Sequence, residues 1–413
     1  MDSRELVAKY PFLTKDYLED ILRNEKRDTC VMVEDYSVNR ALGKGENFSS
    51  DILRIRIVYK RNHEIDRVQS YILKVALVTE GMAAMLEEYD VFHREIIFYK
   101  NILPKIEELL KMTNYQKKLA PSCHRININD PKHFVFEDLA QDGFKAANRK
   151  IGLDYRQLEL LLEKVAKFHA TTSFIYRQNK DIMKHHHYRN VNEEVHHFYT
   201  LFRNSMVVCA EMAETWPTTS PTIARKLYDL ERTVISKACQ VYTVDDSSFN
   251  VLNHGDLWVN NVMYKYEESG SPTEAILVDY AISYFGSPGI DLSFLLFTSS
   301  SNEVSTDDFD SLVQYYYKHL MEHLQCLGVS SQEVPTLLDI QMEVLRKGFI
   351  GVMYSTFLIP LRLIEDTANA DLGNLLGSTE EAMHFRRQLF KHPKYQERME
   401  YLLNYYDRKG FLD

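Results

Sequence analysis

The chain has 413 residues, 45% of them hydrophobic and 26% charged, a composition that excludes collagen-like, low-complexity and wholly disordered proteins. Its 49 Lys and Arg stand against 59 Asp and Glu, a formal charge of −10. The general attraction that drives binding to a nucleic-acid backbone is therefore missing, and no nucleic-acid partner is expected.

The length suits two or three domains, or two lobes sharing a cleft. Cys30, Cys123, Cys209, Cys239 and Cys326 are scattered singly, with no CxxC pair, which fits a reducing compartment. The N-terminus, MDSRELVAKYPFL, carries charges where a signal peptide has its apolar core. The most apolar stretch, from Phe349 to Leu361, is too short to span a bilayer and is closed by Pro360 and Arg362. A cytoplasmic protein without a membrane span is expected, and nothing implies an obligate protein partner.

Residues 1–30 read as helical and charged. From about Thr29 to Leu77 the pattern is strand-like: Leu53, Ile55, Ile57 and Tyr59 alternate with Arg54, Arg56, Val58 and Lys60. A polar stretch from Arg61 to Arg67 turns the chain into a second alternating run, Tyr71 to Leu77. A long helix is predicted from about Ala83 to Lys111, broken at Pro104, with Met85, Tyr89, Phe92, Ile96 and Tyr99 forming one apolar stripe. Strand-like pieces follow near Arg125–Asn129 and His133–Phe136. Beyond Glu137-Asp138-Leu139 the chain reads as mainly helical, except for a hairpin between about 248 and 279. The predicted class is α+β in two lobes: a small β-rich lobe over 1–136, a hinge at 137–140, and a helical lobe over 141–413.

The segment Asn253-His254-Gly255-Asp256-Leu257-Trp258-Val259-Asn260-Asn261 carries the most chemistry. It leads into an apolar run, a turn at Glu267 to Pro272, and a second run ending at Asp279. Antiparallel pairing of the two runs brings Asn261 and Asp279 to the same end, with Asp256 in the adjoining loop. Two acids and an amide then converge, which suits Mg²⁺ held by a few protein oxygens and completed by water and phosphate. The bland alternative is that Asp and Asn merely shape a tight turn. The spacing matches the kinase template, in which one Asp sits by the attacking hydroxyl while an Asn five residues on and a second Asp hold metal.

Lys74 lies within an apolar strand and needs an anion, because an unpaired buried charge is costly. Glu95, beside the helical stripe, needs a partner too. A Lys74–Glu95 pair, with Lys74 reaching nucleotide phosphates, satisfies both. The alternative is a snorkelling lysine and a solvated glutamate. Upstream, Gly43-Lys44-Gly45-Glu46-Asn47-Phe48-Ser49-Ser50 offers glycines and small residues that let backbone amides approach phosphate, or else an ordinary turn. Only Tyr280 to Ile290 separate Asp279 from Asp291, and no A-P-E follows, so a peptide acceptor is disfavoured and a small molecule favoured. Asp291 reads as a helix cap or a brace for the catalytic loop.

The order and spacing of Gly43 to Ser50, Lys74, Glu95, Glu137 to Leu139, His254 to Trp258, Asn261 and Asp279 resemble the insect ecdysteroid-kinase-like family, also called CHK-kinase-like. That family is related to choline kinases and aminoglycoside phosphotransferases, and the likeness spans about residues 30–300. The resemblance implies a protein-kinase-like fold and ATP- and Mg²⁺-dependent phosphorylation of a hydroxyl on a small molecule, an ecdysteroid or a xenobiotic alcohol. By that resemblance Asp256 is the catalytic base and Asn261 and Asp279 are the metal ligands. Gly43, Gly45, Ser49, Ser50, Lys74 and Glu95 hold the nucleotide phosphates, and Glu137 and Leu139 flank the adenine. The chain departs from the family at Asp279-Tyr280-Ala281, where Asp-Phe-Gln is usual. A catalytically inactive nucleotide- or ligand-binding protein and a choline- or ethanolamine-type kinase are the alternatives.

Other features read as structural. His185-His186-His187 and His196-His197 are taken as surface histidines rather than a zinc site, and His169, on the stripe of Leu158, Leu162 and Val165, as a satisfied core histidine.

Overall fold

A computed structural model describes residues 3–41, 50–61, 66–76, 90–187, 197–364, 374, 377 and 379–413, with the side chains of 197–199 excepted. The chain divides into two compact units, Met1–Glu87 with Ala120–Lys145, and Glu88–Leu119 with Ala146–Asp413.

The first unit opens with helices α1 (Ser3–Lys9) and α2 (Lys15–Lys26). Thr14 caps α2 by accepting from the Tyr17 amide. Strands β1 (Val31–Arg40), β2 (Ser50–Arg61), β3 (Arg67–Ala76), β4 (Cys123–Asn127) and β5 (His133–Glu137) form one antiparallel sheet in the order β1-β2-β3-β5-β4. The period of two holds: Leu53, Ile55, Ile57 and Tyr59 are buried, as are Tyr71, Leu73 and Val75 of β3. These side chains form one core with Leu6, Leu18, Ile21 and Leu22 of the two helices. Lys74, by parity, stands on the other face of β3, with Ile52 and Phe134 as its cross-strand neighbours.

Asp51, near the start of β2, ties α1 to the sheet. Its carboxylate, 7% exposed, accepts from Lys9 Nζ at 2.6 Å, from Arg40 Nη1 at 3.1 Å and from the Tyr10 hydroxyl. Burial alone would raise its pKa. The hydrogen bonds from Lys9 and Tyr10 and the charges of Lys9 and Arg40 outweigh that and hold the carboxyl below its ordinary range.

The second unit begins with α3 (Val91–Ile97), a π-helical turn (Phe98–Ile102) and α4 (Leu103–Met112). The predicted single helix is interrupted one turn before Pro104. Pro104 has no amide to give, and the Leu103 amide reaches back five residues to the Phe98 carbonyl. The part of that helix predicted at 83–89 lies outside the described residues. Then come α5 (Tyr155–Gln178), α6 (His197–Ala213) and α7 (Pro221–Tyr242). Short strands follow: β6 (Val251–Asn253), β7 (Val262–Tyr266), β8 (Pro272–Leu277) and β9 (Tyr284–Gly286). The chain ends with α8 (Gly289–Ser299), α9 (Asp307–Cys326), α10 (Leu337–Arg346), α11 (Phe349–Leu363), α12 (Glu380–Phe390) and α13 (Pro393–Arg408). Helix α5 packs on α4, α9, β6 and β8, and α8 packs on α11. Among the described residues no single helix is long and apolar enough to cross a membrane.

The α+β class is as predicted, with a sheet-rich unit and a mainly helical one. The division departs from the sequence boundaries in two places. Residues 88–119 pack with the helical unit, because the Phe98 ring stacks on Tyr280 with centroids 3.9 Å apart and meets Phe168 edge-on. Residues 137–145 stay with the sheet, because Asp138 accepts from Arg54 Nε at 2.6 Å and Ser70 Oγ at 2.6 Å.

Replacing Asp51 with Ala is expected to cost about 1 kcal/mol, since it strands the buried Tyr10 hydroxyl while the exposed Lys9 and Arg40 turn to water. Because the folded pKa is depressed, this stability is present above the unfolded carboxyl pKa, about 3.9, and is lost as pH falls through the lower folded value. Amide hydrogen exchange of α1 and β1 in wild type and variant, followed from pH 7 to pH 3, checks both size and sign.

Candidate active site

β7 and β8 form the predicted hairpin, with Val262 opposite Leu277. At its open end the Val278 amide donates to the Asn261 carbonyl at 3.0 Å, so Asp279 follows directly beside Asn261. Asn261 closes a 3-10 turn, Val259–Asn261, and is 9% exposed. Its Nδ2 donates to the Asp256 carbonyl at 3.0 Å and to Asp256 Oδ2 at 2.8 Å. The amide's donors are thereby spent on Asp256, leaving Oδ1 as its acceptor end. Asp256, Asn261 and Asp279 are thus brought together as the sequence predicts. Every donor they offer is a hard oxygen, which fits Mg²⁺.

Asp291 holds this loop. It lies in the first turn of α8, wholly buried, and its two oxygens accept from the backbone amides of His254 (2.7 Å) and Gly255 (3.0 Å). His169 Nε2 approaches the same carboxylate at 3.1 Å. A carboxylate only accepts, so Nε2 carries a proton, and Nδ1 pairs with the Tyr316 hydroxyl at 2.8 Å. His169 is therefore the satisfied core histidine expected, and Asp291 is the brace. His254 donates from Nε2 to the Val278 carbonyl at 3.0 Å, which links the loop to the residue before Asp279.

Two backbone conformations mark the site. Gly255 has φ +81°, and a Cβ there would sit 2.2 Å from the Ile282 carbonyl oxygen. Asp279 adopts φ +67°, an uncommon left-handed conformation for a residue with a side chain. The departure at Tyr280-Ala281 is accommodated. The Tyr280 ring is buried on Phe98, its hydroxyl donates to the Leu119 carbonyl at 3.1 Å, and Ala281 is also buried.

Sequence reasoning missed the pairing of β6 with β9, which joins Leu252 to Phe285. It also missed Asn253, whose Oδ1 accepts from the Asp291 amide at 3.3 Å. Strands of three residues are too short to show a period, and no local signal could have found them.

Of the remaining predicted residues, Lys74 and Ser50 belong to the first unit and are buried at 6% exposure each, while Glu95 belongs to the second and is 1% exposed. Glu137 closes β5, its Oε1 accepting from the Ser122 amide at 2.7 Å, and Leu139 is buried in a 3-10 turn capped by Asp138. Gly43, Gly45 and Ser49 lie outside the described residues, as does His196 and the side chain of His197. The surface reading of the triple histidine fails for His186, which is wholly buried. None of the five cysteines forms a disulfide.

Residues 44–329 match the model of the ecdysteroid kinase-like family. The protein belongs to that family. Within this ecdysteroid kinase-like protein, the match covers the hairpin, the loop before it and Asp291. Among solved structures, an ethanolamine kinase from Plasmodium vivax aligns over 96% of this chain and 95% of its own, at 13% identity and a TM-score of 0.39. Comparison with curated proteins finds no match.

Gly255→Ala forces a Cβ into the Ile282 carbonyl and a strained φ, and is expected to destabilise the second unit by about 3 kcal/mol. Both tryptophans, Trp216 and Trp258, lie in that unit, so urea unfolding followed by tryptophan fluorescence reads the effect without contribution from the first.

Proposed function

We propose that this ecdysteroid kinase-like protein is an ATP- and Mg²⁺-dependent phosphotransferase. It would move the γ-phosphoryl group to a hydroxyl of a small molecule, an ecdysteroid or a xenobiotic alcohol. The observation that carries the reading is the tie of Asn261 to both the carbonyl and the carboxylate of Asp256, with Asp279 set beside it by the hairpin.

Asp256 is assigned as the base. Its carboxylate orients the acceptor hydroxyl and takes the proton as the new O–P bond forms. The bond from the γ-phosphorus to the bridging oxygen breaks in the same displacement, and ADP carries the electron pair away. Asn261 Oδ1 and the Asp279 carboxylate would hold Mg²⁺, which when bound neutralises charge on the phosphate oxygens. Lys74, Ser50 and the Gly43 to Ser49 segment are the first unit's candidates for nucleotide phosphate, with Glu137 and Leu139 for the base. Glu95 is the second unit's candidate for the phosphate-anchoring group. Asp291, His169 and Asn253 touch no reacting atom and serve to position the loop.

A small acceptor is supported by the short passage after Asp279, since β9 ends at Gly286 and α8 already begins at Gly289. That leaves little chain on which to dock a peptide. No nucleic-acid or obligate protein partner enters the proposal, and cysteines that form no disulfide accord with a cytoplasmic site of action.

The test is an ATP-consumption assay with Mg²⁺ against ecdysteroids, choline, ethanolamine, plant phenolics and sterols. Asp256→Asn is expected to lower kcat by about 10²-fold or more while nucleotide affinity, read by calorimetry, stays within about threefold. Retention of most of the rate in Asp256→Asn would overturn the assignment. ATP binding without turnover on any acceptor would favour a non-catalytic binding protein.

A further inference from the structure

Three histidines in a row, at 185–187, serve no step of the reaction above, yet each makes a different contact. The His185 ring meets His93 of α3 with centroids 5.4 Å apart. His186 Nδ1 lies 3.2 Å from the Ser283 carbonyl oxygen and 3.1 Å from its hydroxyl, and the His186 carbonyl accepts from the Phe285 amide at 2.7 Å. The His187 ring packs edge-on against Phe285 at 5.8 Å. One three-residue turn therefore touches both the helix that carries Glu95 and the segment that follows Asp279.

That segment is anchored at its start by Tyr280, whose ring stacks on Phe98 and whose hydroxyl donates to the Leu119 carbonyl at 3.1 Å. The Ser283 amide donates to the Tyr280 carbonyl at 3.2 Å, making a turn whose Ile282 carbonyl backs directly onto Gly255. Asp279 enters the turn in a left-handed conformation that costs of order 1–3 kcal/mol and persists only if its surroundings over-determine it. His254 and the hairpin hold the near side of the turn; the bonds from His186 hold the far side.

We propose that His186 is a positioning residue for the metal site: by pinning Ser283 and Phe285 it holds Asp279 in the orientation that binds the cation. The inference rests on the phosphotransferase reading. The chemistry of the ring agrees with it. The Ser283 carbonyl only accepts, so Nδ1 carries a proton. Burial, together with the charges of Arg94, His185 and His187, pushes its pKa down to about 4, so it stays neutral across the working range. A zinc ligand in this turn would need its neighbours to converge, whereas the three rings go to three different partners.

Because His186 acts through Asp279, its loss should appear in cation affinity rather than only in stability. Mn²⁺ binding in the presence of a non-hydrolysable ATP analogue, followed by electron paramagnetic resonance, gives a readout independent of turnover. His186→Ala is expected to raise the Mn²⁺ Kd by about tenfold. His186→Asn, which keeps a donor at the Nδ1 position, is expected to bring it back within about threefold of wild type. His186→Gln carries its amide one bond too far and should not rescue. His323→Ala, which removes a buried histidine bonded to Thr171, should lower the Tm and leave the Mn²⁺ Kd unchanged.

A His186→Ala protein with a lower Tm and the wild-type Kd overturns the proposal. Should that variant not fold, equal Kd values for the Asn and Gln variants overturn it. Failure of the wild type to bind Mn²⁺ with the nucleotide analogue would instead overturn the phosphotransferase reading.

Discussion

The second unit's site depends on one buried carboxylate. Asp291 has no access to water, and it spends its oxygens on two consecutive backbone amides, those of His254 and Gly255, and on the His169 ring. Burying a carboxylate is costly unless its lone pairs are met by donors, and here three donors meet them. The energetic return is positional. Two adjacent amides held by one rigid group fix the direction in which the chain leaves toward Asp256, and Asn261 then fixes the side chain of Asp256 itself. Tyr316 on α9 and His169 on α5 extend the same network into the helical core, so packing of those two helices is felt at the loop.

Much of this follows from how narrow the allowed backbone is. With Gly255 at positive φ and no room for a Cβ, the Ile282 carbonyl can press against the loop that Asp291 holds. Asp279 stands on the opposing strand end, also at positive φ, and is joined to the loop through His254 and Val278. The site thus joins two left-handed backbone points across a short hairpin, unstrained at Gly255 because glycine adopts that region freely and costly only at Asp279. The strain at Asp279 persists only where its surroundings leave no alternative: His254, on the loop that Asp291 holds, bonds the preceding residue, and His186 is proposed to hold the far side.

What could be read beforehand, and what could not, divides along physical lines. Asn261 and Asp279 were legible because a hairpin has a fixed period and places its ends together whatever surrounds it. The alternation at Leu53 to Tyr59 was legible for the same reason. The break at Phe98–Ile102 was displaced from Pro104 because a missing amide can be absorbed by widening the turn before it. β6 and β9 left no trace in the sequence, being three residues each and paired across a gap of thirty residues. His186 was misread because adjacency along the chain says nothing of tertiary burial. A run of three polar rings suggests solvent, but the middle one points inward when a backbone carbonyl awaits it. The segment carrying Gly43, Gly45 and Ser49 lies outside the described residues.

The substitution at Tyr280-Ala281 bears on what sort of enzyme these constraints would make. Had the tyrosine hydroxyl been left without a partner, burial of that group would have cost roughly 1–3 kcal/mol at the residue next to Asp279. Instead it donates to the Leu119 carbonyl, and the ring stacks on Phe98 of the π-helical turn. The same ring lies 4.6 Å from His254. Tyr280 therefore joins three parts of the unit: the chain at Leu119, the turn that follows the Glu95 helix, and the loop bearing Asp256. A tyrosine can do this where a phenylalanine would lack the first of these ties. The hydroxyl tie consequently stiffens the support of Asp279, while Ala281 leaves the second position after Asp279 without a polar side chain. Under the proposed phosphotransferase reading, the departure from the usual sequence bears on the acceptor or nucleotide contacts that a glutamine would make, and leaves the frame of the proposed metal site intact.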